Sequence, residues 1–427
     1  MPNDLMEKIV SLCKRRGFVY PGSEIYGGLA NSWDLGPLGV ELKNNLKKLW
    51  WSRFVQQRAD VVGLDSGLIM NPKVWEASGH LSGFNDLLVE CKKCQNRFRI
   101  DDLSDQKSCP ECRSELTSPR RFSTMFKTFL GPVEDKAGAV YLRPETAQGM
   151  FVDFKNVLDS TRVKLPFGIA QIGKAFRNEI TPGNFIFRLR EFEMMEIEYF
   201  VKEADWEKYF DHWRKEMGHW IKEIGVDLKK VHEAEIPDGE RAHYSQRTID
   251  FEYQFPFGQK ELYGLAYRTD FDLKNHFKEA PYEDPETGAK SWPHVIEPTW
   301  GIERSMLAVL CEAFDDSQKG RVVLKLKPAL APYKTAVFPL LANKPQLAAL
   351  ARQIYLDLKN VFMIAWDDRG NIGKRYFSQD EIGTPWCLTV DFDSLEDQAV
   401  TVRERDTMKQ ERIKIGELKG YLEDKLK

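Results

Sequence analysis

Residues 176–196 read Phe176-Arg-Asn-Glu-Ile-Thr-Pro-Gly-Asn-Phe-Ile-Phe-Arg-Leu-Arg-Glu-Phe-Glu-Met-Met-Glu196, two strand-like runs about a turn at Thr181-Pro182-Gly183-Asn184. Proline presets the turn's backbone and glycine supplies the conformations other residues avoid. The predicted hairpin brings Arg177, Glu179, Arg188 and Phe192 to neighbouring positions. Those residue types suit a nucleotide. Guanidinium forks grip phosphate oxygens, a ring stacks on a base, and a carboxylate accepts an amino hydrogen. A solvated charged hairpin would account for the charges alone, but not for Phe192 among the apolar runs at 185–187 and 194–195.

Just upstream, Gly168-Ile-Ala-Gln-Ile-Gly173-Lys174-Ala175 imitates a P-loop. Ala175 stands where a magnesium-binding hydroxyl is needed, and strand and turn follow where a P-loop opens a helix. The phosphate reading therefore rests on the hairpin.

Working outward, Pro37 opens a predicted amphipathic helix reaching Gln57, with Leu38, Leu42, Leu46, Leu49, Trp50 and Phe54 on one face. Strands are predicted at 139–142, 167–177, 185–200, 248–255 and 261–268. Helices are predicted over 204–224 and over 297–313, the latter opening at Pro298-Thr299. Residues 85–130 read as an insertion, and so do 204–246. After a proline-bearing linker near 325–333, strands and helices alternate to a closing charged helix over 406–427, which predicts a small α/β domain. The division is thus 1–328 and 329–427.

Within the first insertion, Cys91-x2-Cys94 and Cys109-x2-Cys112 are separated by fourteen residues. That is the spacing of a closed four-thiolate zinc site, which leaves no open coordination position and so predicts a structural role. The chain of 427 residues carries a net charge of only -3, so no global field advertises nucleic acid. No run reaches the ~18 apolar residues that span a bilayer, and the first residues lack a signal-peptide core. No membrane association and a cytoplasmic location are expected.

Phe176-Arg177-x-Glu179, a loop, then Arg188-x3-Phe192 resembles motif 2 of the class II aminoacyl-tRNA synthetases. The helix from Pro37 resembles their motif 1, and Glu297-Pro-Thr-Trp-Gly301-Ile-Glu-Arg304 their motif 3. Tyr26-Gly-Gly, Trp33-Asp-Leu-Gly-Pro-Leu-Gly, Ser78-Gly-His, Leu142-Arg-Pro-Glu-Thr-Ala-Gln-Gly149 and Arg268-Thr-Asp-Phe-Asp-Leu are similar to blocks of the dimeric glycyl branch, along almost the whole chain. The resemblance implies an α+β catalytic domain built on an antiparallel sheet flanked by helices, a zinc-ribbon-like insertion and a C-terminal α/β anticodon-binding domain. It implies ATP-dependent activation of glycine, then transfer to the 3'-terminal ribose of tRNA(Gly), by a homodimer. The alternatives are a synthetase for another amino acid and a non-catalytic RNA-binding or accessory relative.

Residue by residue, the resemblance implies that Arg177 holds the α-phosphate, Glu179 the adenine amino group and Arg188 the β- and γ-phosphates, with Phe192 and Arg304 covering adenine. Arg177, Arg304 and Glu145 are the expected catalytic residues. Asn178, Phe187, Leu189, Arg190, Glu191, Glu261, Leu262, Gly301, Ile302 and Glu303 complete the ATP site, with Glu261 and Glu297 near Mg²⁺. Arg99, Glu145, Phe192, Glu193, Met194, Met195, Glu196, Glu297, Pro298, Thr299, Trp300 and Gly301 are expected around glycine. The sequence departs from the branch at Thr299, where serine is usual, at Glu303 and at Tyr267. In the C-terminal domain, Lys374, Arg375, Arg403, Arg405, Lys409, Trp366, Tyr376 and Trp386 are candidates for facing RNA.

Overall fold

The computed structural model describes residues 2–100, 103, 105–135 and 137–426. Its centre is a seven-stranded sheet. The strands are β1 (Val61–Gly63), β2 (Phe167–Phe176), β3 (Glu191–Val201), β4 (Val231–Glu235), β5 (Arg247–Phe255), β6 (Gly258–Thr269) and β7 (His294–Gly301). Their order is β4-β5-β6-β7-β3-β2-β1, antiparallel throughout except that β1 runs parallel to β2. The P-loop imitation lies inside β2, an extended strand that opens no helix.

Strand alternation gives the sheet two faces. On one face Met195, Ile197 and Tyr199 of β3 join the main apolar core. Helices α1 (Pro2–Arg16), α2 (Pro37–Trp51), α3 (Trp206–Glu223) and α4 (Ile302–Ala313) pack against that face and contribute to the same core. The other face carries the polar site. α2 starts where the sequence predicts because Pro37 stands in its first turn. Gly39 is required there, since a Cβ would come within 1.9 Å of the Phe18 carbonyl oxygen.

Several expectations are corrected. The apolar face of α2, continued by a π-turn over Ser52–Gln56, lies inside its own protomer. Trp50 and Phe54 pack on Trp300 at 5.4 and 4.9 Å, so this face is no argument for a dimer. The segment 204–246 is integrated with the catalytic unit: Phe210, Trp213, Met217 and Trp220 are fully buried in the main core, and Val231–Glu235 extends the sheet. Pro298 and Thr299 belong to β7, and the helix begins at Ile302. Residues 185–190 form part of the loop before β3.

The second unit has its own core and a five-stranded sheet. Its strands are β8 (Thr335–Pro339), β9 (Ile364–Trp366), β10 (Trp386–Val390), β11 (Ala399–Glu404) and β12 (Gln410–Lys414), ordered β9-β8-β10-β11-β12. The closing helix is only Leu418–Leu426, because Gln410–Lys414 pairs with β11 and Gly416 follows. The two units are clamped together. Asp380 receives Arg321 at 2.8 Å and Arg403 at 3.0 Å, while Arg405 donates to the carbonyls of Leu326 and Gly383. Arg375 donates to four backbone carbonyls of its own domain. These three buried arginines, and buried Trp386, therefore do not face RNA. Trp366 and Tyr376 are half-buried, whereas Lys374 and Lys409 are exposed. Among the described residues no helix is long and apolar enough to cross a membrane.

Candidate active site

β2 ends at Phe176 and β3 starts at Glu191, so Arg177, Glu179 and Arg188 ride on the joining loop rather than on paired strands. The loop is closed at its base by Arg177 N–H donating to the Arg190 carbonyl at 2.9 Å, and near its tip by reciprocal bonds between Gly183 and Arg188. Below it opens a cleft bordered by Arg177, Glu179, Phe187, Arg188, Leu189, Phe192, Met194, Glu261, Leu262, Thr299, Gly301, Glu303 and Arg304. Asn178, Arg190 and Glu191 line a neighbouring cavity instead, and Ile302 is buried in the core.

The Arg177 guanidinium lies 5.4 Å from the Phe192 ring centre, and that of Arg304 lies 4.6 Å from the Phe187 ring centre. Arg304 Nη1 is 3.0 Å from Glu261 Oε2. The charge of Arg304, joined by Arg177 and Arg188, holds the Glu261 carboxyl below its ordinary range. Three guanidiniums around one carboxylate make a site for a polyanion with room for a cation. Arg99 joins the edge of this region. It lines a hollow with Arg177 and Glu179 and lies 3.4 Å from Asp86.

Behind the cleft lies a recess walled by buried carboxylates. Arg268, fully buried, is its central cation: Nη1 donates to Glu297 Oε1 at 2.6 Å, while Nε and Nη2 fork over Asp272 at 2.7 and 2.9 Å. Its guanidinium lies 3.7 Å from the Tyr244 ring centre, and Nη2 is 3.9 Å from Glu145 Oε1. Glu196 accepts from Thr299 at 3.0 Å and from Thr146. Carboxylate oxygens of Glu196, Glu198 and Glu297 lie within 4.8 Å of one another, and both oxygens of Glu198 are buried without a hydrogen-bond partner. Burial pushes all three carboxyls above their ordinary range, and the charges of neighbouring carboxylates add to the effect.

The fold explains why they meet. Pairing of β3 with β7 skips Ile197 and Glu198 opposite Glu297 and Pro298, where proline has no N–H for the ladder. A recess rich in buried acid and poor in donors is suited to a small cation with several N–H groups.

Strand parity sorts the remaining expectations. Glu193 and Met195 point to the helix face, where Glu193 is bound by Lys43 and Lys47. Pro298 and Trp300 share that parity in β7, and Trp300 packs on Phe54. These four do not line the recess. Glu297, bound to Arg268, belongs to the recess cluster with Glu196 and Glu198, whose carboxylates could together hold a metal ion. Glu303 accepts the Glu193 N–H at 2.9 Å, and Tyr267 stacks on Trp206 and bonds His294, so neither departure alters the recess. Arg268, Asp272, Glu198 and Tyr244 are additions of the structure. The repeat Phe192-x-Met194-x-Glu196-x-Glu198 is the signal that could have shown Glu198.

The four cysteines converge as two matching turns. Cys91 Sγ lies 3.3 Å from Cys112 Sγ, and Cys94 Sγ 3.6 Å from Cys109 Sγ. A tetrahedral ion with ~2.3 Å bonds would set the sulfurs about 3.8 Å apart. Gln95 and Arg113, at φ 60 and 59, turn the chain after each pair, and the N–H groups of Lys93 and Cys94 point at the Cys91 sulfur. The donors fit zinc.

Residues 130–313 match the tRNA synthetase class II core domain (G, H, P, S and T), and residues 334–425 match the anticodon binding domain. The chain is 52% identical to a glycine–tRNA ligase of Alkaliphilus oremlandii, over 99% of this chain and 98% of the relative. It is 51% identical to that of Clostridium acetobutylicum, over 99% of each, and 50% identical to that of Geobacillus thermodenitrificans, over 99% and 97%. With the arginine cleft and the acidic recess joined at β3, this likeness along the full chain means that the protein belongs to the glycine–tRNA ligase family of class II aminoacyl-tRNA synthetases.

Proposed function

We propose that this chain activates glycine with ATP and esterifies it to tRNA(Gly). The observation that carries the reading is the seam between the two sites. Thr299 borders the arginine-lined cleft and also bonds Glu196 of the recess, so an amino acid in the recess has its carboxylate beside the nucleotide.

A carboxylate oxygen of glycine attacks the α-phosphorus. The bond to the β-phosphate oxygen breaks, and pyrophosphate leaves with the electron pair. A ribose hydroxyl at the tRNA terminus then attacks the activated carbonyl carbon, loses its proton and displaces AMP. Both steps need positioning and charge neutralisation rather than a protein nucleophile. Arg177 and Arg188 neutralise the phosphates, while Phe192 and Arg304 border the base. Magnesium supplies further positive charge when bound, and Glu261 is the residue that fits it. Glu145, Glu196 and Glu198 take the ammonium group. Arg268 is the nearby cation that balances their charge.

The cysteine quartet holds a structural zinc. The second unit binds the tRNA, consistent with its match to anticodon binding domains. Ile25, Tyr26 and Leu29, strongly exposed on one segment, favour a homodimer that covers them. Seven free cysteines suit the reducing cytoplasm.

Amino-acid-dependent ATP–pyrophosphate exchange across all twenty amino acids tests the reading. Exchange with glycine alone is expected. Exchange driven by another amino acid would overturn the glycine assignment, and none at all would leave the non-catalytic alternative.

A further inference from the structure

The Ser78-Gly79-His80 block has no role in the chemistry above, yet it builds a hydrogen-bond chain into the recess. Gly79 is held at φ +80, a left-handed turn that brings Ser78 and His80 back toward each other. Ser78 Oγ lies 2.7 Å from His80 Nδ1, and His80 Nε2 lies 3.2 Å from Glu145 Oε2. All three side chains are buried: Ser78 is 1% exposed, His80 3% and Glu145 5%. The other oxygen of Glu145 accepts from Gln148 at 2.9 Å. Outside the chain, the imidazole ring is walled by Trp75 and Phe84.

The chemistry of each contact fixes the next. The Glu145 carboxylate can only accept, which places a proton on His80 Nε2, and the Ser78 hydroxyl, donor and acceptor alike, satisfies Nδ1. Burial opposes ionisation of Glu145, but its contact with His80, together with the charge of Arg268, holds its carboxyl below the ordinary range. Glu196, Glu198 and Glu297 in the same recess are pushed the other way. Glu145 is thus the recess glutamate whose two oxygens are fixed in orientation, one by His80 and one by Gln148.

We infer that His80 is a positioning residue for amino-acid binding: through the Ser78–His80–Glu145 chain it fixes the carboxylate that meets the substrate ammonium. The inference rests on the reading of Glu145 as an ammonium ligand. The same geometry says what can replace His80. A glutamine places its amide nitrogen near the Nε2 position and can still donate to Glu145, whereas leucine fills the space and donates nothing.

The test is glycine-dependent ATP–pyrophosphate exchange on the full chain carrying Glu145→Gln, His80→Leu, His80→Gln or Ser78→Ala, with melting curves for each. His80→Leu is expected to raise KM for glycine at least tenfold while KM for ATP stays within twofold. His80→Gln should return KM for glycine to within about threefold of the parent. An unchanged KM for glycine in His80→Leu, or KM values for glycine and ATP rising together, overturns the inference. Should His80→Leu fail to fold, Ser78→Ala decides: a rise of about threefold for glycine alone supports the chain, and no rise overturns it. Glu145→Gln separates the two levels. If it leaves KM for glycine unchanged, the ammonium reading of Glu145 falls. If it raises that KM while the His80 and Ser78 variants do not, only the positioning role falls.

Discussion

Arg268 Nη1 and Glu297 Oε1 lie 2.6 Å apart with no appreciable solvent at either group, and Asp272 takes the other fork of the same guanidinium. Removing the cation leaves two carboxylates buried without their partner. Arg268→Met is therefore expected to destabilise the protein by about 3–5 kcal/mol, lowering the melting temperature by about 3–7 °C, and to abolish glycine-dependent exchange. A melting curve superimposable on the parent would show that Arg268 does not hold this cluster.

The zinc reading makes a local claim. Val89, Ile100 and Leu116 are the buried apolar residues beside the cysteines, and a core that small does not hold a module by itself. Elemental analysis is expected to find about one zinc per chain, and Cys112→Ser to lose it together with protease resistance over 85–123. A metal-free protein with that segment still resistant would refute the structural role.

Many of the residues that border the cleft were legible because motif 2 concentrates unlike residue types: arginines, a glutamate and a phenylalanine amid apolar neighbours. Which glutamates face the recess was not legible. Glu193 and Glu198 are both buried on β3 and separated only by strand parity, which depends on where the strand begins. The predicted start at 185 hid the true one at Glu191. Pro298 concealed β7 for the opposite reason. Proline argues against a central strand, and this sheet admits it where the ladder is already open. Charge alone misread Arg375, Arg403 and Arg405, since their partners are backbone carbonyls and Asp380, distant in sequence.

That Asp380 cluster separates the two reactions. Asp380 joins Arg321 on the catalytic side to Arg403 on β11, all buried. Asp380→Asn keeps the shape but removes the charge between two guanidiniums, loosening the seating of the C-terminal unit. Exchange needs only the catalytic unit, so it is expected to stay within about twofold of the parent. Charging of tRNA should fall at least tenfold. Both assays run on one preparation check this, and equal losses in the two would count against it.

The connection between the units also titrates. Lys334 Nζ donates to the carbonyls of Pro328, Ala329 and Ala331, and burial, with the charge of Lys48, pulls its ammonium from 10.5 to about 8. The unfolded chain keeps this proton to higher pH than the folded one, so the residue's contribution to stability rises between pH 8 and 10.5. Lys334→Met lacks the group. The parent should gain urea resistance relative to this variant across that window, and a gap that stays flat or shrinks would contradict the assignment.

Phe54, just beyond the end of the motif 1 helix α2, is fully buried against Trp300 at 4.9 Å, Trp220 at 5.8 Å and Trp213 at 5.9 Å, which come from β7 and α3. These contacts lie within one protomer. Phe54→Ala opens a cavity among three indoles that cannot close around it and is expected to cost about 3–5 kcal/mol. An interface residue would behave differently: its loss would shift the monomer–dimer balance and leave the protomer's own stability nearly intact. Denaturation read together with sedimentation velocity separates the two. A lowered unfolding midpoint with an unchanged sedimentation coefficient is the outcome this packing requires. A more slowly sedimenting species with an unchanged midpoint would put Phe54 at a subunit contact instead.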